Sequence, residues 1–149
     1  VLYEIGYINP SLIIKYTDSF LELTKDKNNR MVWGSMIALW TVAKTEYIKI
    51  NDNFDELVSV IEKGSVITQD AGLKMFAVIA GKLPETRTKI LNFVLQIIRN
   101  CKPRDVYKYS VDFFQFATNE EMKKFVEAIE EIKPLMNENQ KKKIERLFK

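Results

Sequence analysis

Apolar residues recur at i, i+3, i+4 and i+7 along almost the whole chain, and no stretch alternates polar and apolar as a half-buried strand would. The pattern predicts nearly all helix. With only five Gly and four Pro in 149 residues, boundaries rest on capping residues and short polar turns. Asn9-Pro10 predicts a helix over 11–24, broken by Lys25-Asp26-Lys27-Asn28, and the next helix runs from Asn29 to about Thr45. Asn53 with Glu56 has the spacing of a capping box and opens a helix over 54–62 that Gly64 ends. Ser65 starts a helix over 66–83, and Pro84 leads one over 85–100. After the Lys102-Pro103 turn a helix spans 104–117. Thr118 with Glu121, the most explicit capping box, opens a helix that ends near Pro134, and Asn137 with Gln140 forms another in front of 141–149.

The longest of these patterns recurs. "ALWTVA" ending at Ala43 lines up with "MFAVIA" ending at Ala80 and "DFFQFA" ending at Ala117, each 37 residues after the last, and the opening "VLYEIG" ends at Gly6 in the same register. The following helix keeps step: Phe54, Leu91 and Ala128 correspond, as do Leu21, Val58, Leu95 and Ile132, and Ile61, Ile98 and Leu135. A fixed period of this length marks a repeat array in which one helix pair stacks on the next. The expected fold class is all-α, an α-α superhelix (solenoid) forming one domain over 1–149. Its units are 1–28 (truncated), 29–64, 65–101 and 102–136, with a capping helix at 137–149. Small residues Gly34, Ser35 and Ala38 are expected to let a neighbouring helix come close. Glu127, Glu130 and Glu131 give the last pair a solvent-facing flank, and the first helix lacks its opening turns, so the array is expected to continue upstream of Val1.

Helix pairs of this length, with small and aliphatic residues closing the first helix and a polar turn before the second, resemble HEAT or armadillo-type repeats. The resemblance implies a right-handed superhelix with second helices lining the concave side. The mid-unit proline and the paired Asp and Arg of typical HEAT units do not recur here, so no subfamily follows.

Composition narrows the chemistry. A net charge of +3 is too small a surplus to imply a polyanionic partner. With no histidine and a single Cys101, neither a Cys/His zinc site nor an internal disulfide can form, and a cytoplasmic setting is the natural reading. No metal, cofactor or catalytic residue is assigned, and no apolar run is long enough to span a membrane.

Several residues carry a possible function beside a plainer one. Trp33 and Trp40 could anchor a partner or stack on a base, but packing between repeats accounts for them better. Asp70, near a helix start, could act as a base or simply complement the helix dipole. The basic run Lys141, Lys142, Lys143, Arg146 and Lys149 reads as a solvated face, and Cys101 lacks a partner base. The polar side of the second helices includes Asp26, Glu56, Ser59 and Lys63, then Lys89, Gln96 and Asn100 with Phe93 at the edge. Its signs are mixed, unlike a DNA-reading groove. The expected function is a non-catalytic scaffold that binds a protein or peptide through Glu56, Ser59, Lys89, Phe93, Gln96 and Asn100. The alternatives are a HEAT-like DNA-binding or alkylation-repair glycosylase, and a regulatory piece of a larger repeat protein.

Overall fold

The computed structural model describes residues 1–149. The chain is all-α, with no strand, and divides into two compact units, Val1–Arg87 and Thr88–Lys149.

In the first unit α1 (Leu2–Ile8), α2 (Thr17–Leu23), α3 (Asn29–Asp52), α4 (Phe54–Lys63) and α5 (Val66–Lys82) pack around α3, which touches α1, α2 and α5. Two close approaches to α3 and α4 depend on glycine: a Cβ at Gly6 of α1 would run into Thr41 of α3, and one at Gly72 of α5 would run into the side chain of Ile61 and lie 3.0 Å from Met36 Cε. Of the small residues expected to let a neighbouring helix come close, Ser35 and Ala38 are buried, and a Cβ at Gly34 would meet Tyr3 of α1 at an ordinary 3.6 Å. Phe54 and Phe76 stack with centroids 4.9 Å apart, and Phe76, Ile61, Met36 and Leu39 are fully buried. Each such side chain contributes on the order of 1.5–3 kcal/mol.

Three local expectations are corrected in this unit. The helix expected over 11–24 is two 3₁₀ turns, Pro10–Leu12 and Ile14–Tyr16, followed by the short α2; Asn9 caps the first turn by accepting from the Ser11 N–H. The helix from Asn29 does lose its geometry near Thr45, at Glu46 (φ −96°, ψ 19°), but resumes and runs to Asp52. The continuation is anchored by buried Ile50 and by Lys49 on Asp18 at 3.1 Å. Asn53 makes no capping bond to α4. Its amide donates back to the Lys49 carbonyl, so this capping box does not form.

The second unit holds most of α6 (Pro84–Asn100), then α7 (Val106–Phe114), α8 (Asn119–Ile132) and α9 (Glu138–Glu145). Here the capping boxes form as their residues predict: Thr118 and Glu121 exchange side-chain to backbone bonds, and so do Asn137 and Gln140. The helix expected over 104–117 is shorter, a 3₁₀ turn at Pro103–Asp105 and then α7. Phe113 and Phe114 of α7 meet Phe125 of α8, and Phe114 also meets Phe148 in the closing 3₁₀ turn Arg146–Phe148. The Ile144 side chain is buried from α9. Leu135, expected in register with Ile61 and Ile98, lies in a 3₁₀ turn and is 74% exposed.

Candidate functional site

The six residues expected to bind a partner fall into two sets. Glu56 and Ser59 belong to the first unit, and Lys89, Phe93, Gln96 and Asn100 to the second.

Glu56 and Ser59 lie on a cleft of about 560 Å³ whose walls are the end of α2 with the turn after it, the start of α3, and α4. The sequence explains each wall. Asp26 accepts from the Asn28 N–H and Asn28 from the Arg30 N–H, so the turn is fixed and α3 starts at a defined point. Leu57 and Ile61 turn α4 inward, which leaves Glu56, Ser59, Val60 and Lys63 towards the cleft. Lys25 bonds Glu56 at 2.9 Å, tying the turn to α4. The Glu56 carboxylate holds the Lys25 ammonium above the usual lysine range, with Glu22 adding to the effect. Thr24 donates its hydroxyl to the Leu21 carbonyl and is therefore satisfied. Lys27 and Lys63 also line the cleft, and neither takes part in an ion pair. Asp26, Glu56, Ser59 and Lys63 were readable from the polar side of the second helices. Lys25 and Lys27 were not, because they read only as a helix break.

Lys89, Gln96 and Asn100 are all exposed on α6, and the Asn100 amide donates to the Gln96 carbonyl. Phe93 is only 6% exposed. It belongs to the core stripe with Ile90, Val94 and Ile97, so it presents no aromatic anchor on the surface.

Trp33 and Trp40 join a row of rings. Trp33 meets Tyr3 at 5.5 Å, Tyr3 meets Tyr7 at 6.3 Å, and Tyr7 meets Trp40 at 5.7 Å, all edge-on. The row closes the α1–α3 contact, since both tyrosines lie on α1 and both tryptophans on α3. Lys74 of α5 lies 4.9 Å over Trp40 and 2.9 Å from Asp70. Asp70 is thus paired with a cation one turn along its own helix. Partial burial pushes the Tyr7 phenol up, partly offset by Lys74.

No family model, curated protein or solved structure matches this chain. Cys101 donates its thiol to the Ile98 carbonyl at 3.3 Å, and burial, with Asp105 nearby, pushes it up to about 11. Such a thiol is a poor nucleophile at neutral pH. In the C-terminal basic run Lys141 pairs with Glu138 at 2.9 Å and Lys143 lies 4.6 Å over Tyr107, so two of its cations are engaged within the unit. No helix is long and apolar enough to cross a membrane.

Proposed function

We propose that this chain is a non-catalytic scaffold of HEAT-like helix pairs, working in the cytoplasm, that holds a segment of another protein in the cleft between α2, α3 and α4. The cleft carries the reading: it is large enough for several side chains, is lined in part by two half-buried valines and carries charges of both signs. A small apolar centre with a polar rim is the composition of a protein-binding patch. The 37-residue repeat is supported by recurring burial. Thr17, Phe54, Leu91 and Ala128 are all buried at one register position; at another Thr24, Ile61 and Ile98 are buried and Leu135 is exposed.

Replacing Ser59 by a photo-crosslinking residue tests the proposal in a native lysate. A discrete protein adduct should form at this position and be missing when the same group stands at Gln96. Adducts of equal yield at both positions, or none at Ser59, would remove the cleft from consideration. Tight, salt-sensitive retention of duplex DNA would favour the DNA-binding alternative.

A further inference from the structure

The cleft carries five charged residues, and their pairing is uneven. The two carboxylates are engaged internally: Glu56 holds the Lys25 ammonium at 2.9 Å, and Asp26 accepts from the Asn28 N–H at 2.7 Å. Of the three lysines only Lys25 has a partner. Lys27 and Lys63 remain without an ion pair on the same cleft. A cationic ligand would have to compete with Lys25 for Glu56, or break the bond that fixes the turn. An anionic ligand meets two free ammonium groups at no such cost.

The apolar lining adds a second preference. Val32 of α3 and Val60 of α4 are half-buried on this cleft, and an aliphatic side chain seated on them would remove apolar surface from water. The start of α3 contributes only the positive end of its dipole. Its first amides are already taken, since Arg30 donates to the Asn28 side chain and Met31 and Val32 donate to the Asn28 carbonyl.

We infer that the segment held in this cleft is acidic, with an aliphatic residue seated on Val32 and Val60 and carboxylates reaching Lys27 and Lys63. This rests on the reading of the cleft as a protein-binding site, and it names the chemistry of the partner. Both lysines are solvent-exposed, so the attraction is screened by salt.

The probe is a fluorescein-labelled peptide with four Glu on each side of one Leu, titrated with the full chain at low salt and followed by anisotropy. Its controls are the same peptide with Lys for Glu and one with Gly for Leu. The acidic Leu peptide should bind best, with the Gly version several-fold weaker. Lys27→Glu with Lys63→Glu should weaken it by at least tenfold while the thermal melt stays in place, and Val60→Ser should cost several-fold. Unchanged binding after the double reversal overturns the inference, as does a Lys peptide that binds equally well or no acidic-peptide binding up to about 1 mM. Preference for a single-stranded oligonucleotide over the peptide overturns it too. The photo-crosslinker at Ser59 separates the two failures. A protein adduct there that survives the double reversal leaves the cleft a binding site for a partner of other chemistry, whereas no adduct removes the site itself.

Discussion

In residues 1–87 two long helices meet where one of them has almost no side chain: Gly72 lets α5 settle against Ile61 and Met36, and stacked Phe54 and Phe76 fill the space beside it. In residues 88–149 the helices are shorter and their ends are written out, with capping boxes at Thr118 and Asn137 and a surface ion pair from Lys133 to Glu130. The first unit is specified by shape complementarity between distant residues. In the second, residues three or four apart carry much more of the specification, and its core includes a cluster of phenylalanines around Phe113 and Phe125 beside the aliphatic stripe of α6. Shape-based packing tolerates little change in volume, whereas a cap can be lost at a modest cost.

The largest effect should come from Phe76→Ala. It removes a fully buried ring and its stacking contact with Phe54, and should cost about 3–5 kcal/mol. Segment-resolved hydrogen exchange should find the loss over residues 1–87, and equal loss in both units would show that they share one cooperative core. Gly72→Ala comes next. One methyl group pressed into Ile61 should cost roughly 1–3 kcal/mol by overpacking, read from the denaturant midpoint. A neutral outcome would mean that α4 and α5 can slide apart, and that shape complementarity is not what specifies the first unit.

Caps give the smaller differences. Thr118→Ala breaks a formed capping box and should cost about 1 kcal/mol, whereas Asn53→Ala, at a position with the same spacing but no cap, should cost at most a few tenths. Equal costs would erase the contrast between the units.

Cys101 should leave stability at neutral pH untouched. Its thiol, pushed up to about 11 from 9.0, should react with iodoacetamide at pH 8 roughly a hundredfold more slowly than a cysteine in an unfolded peptide. Above pH 9 the unfolded chain releases this proton while the folded one keeps it. The unfolded state then binds fewer protons, so stability contributed by the protonated thiol falls as pH rises from 9 towards 11. An alkylation rate equal to that of the unfolded peptide would mean that the thiol is open to water in solution and not buried.

The sequence by itself determined the all-helical class and the helices whose start and stop signals are local. Thr118 with Glu121, Asn137 with Gln140, Ser65 before α5 and Gly64 after α4 could be read directly, because a cap joins residues only two to four apart. It also set out which side of α4 is polar, with Glu56, Ser59 and Lys63, and put Asp26 on the polar side of the helix pattern before it. Tertiary structure decided what depends on residues far apart in the chain. The 3₁₀ turns at 10–16 replace a helix whose local pattern looked regular, and buried Ile50 with the Lys49 to Asp18 pair accompanies the continuation of α3 past Glu46. Asn53 and Asn137 carry similar local signals, yet one turns its side chain back to Lys49 and the other caps a helix. Phe93 went from the edge of a polar face to the core stripe, since a wheel drawn for one helix cannot show how wide a face its neighbours cover. The cleft is of the same kind: Lys25 and Lys27 sit in a helix break, and only the folding of that turn against α4 brings them beside Glu56 and Lys63.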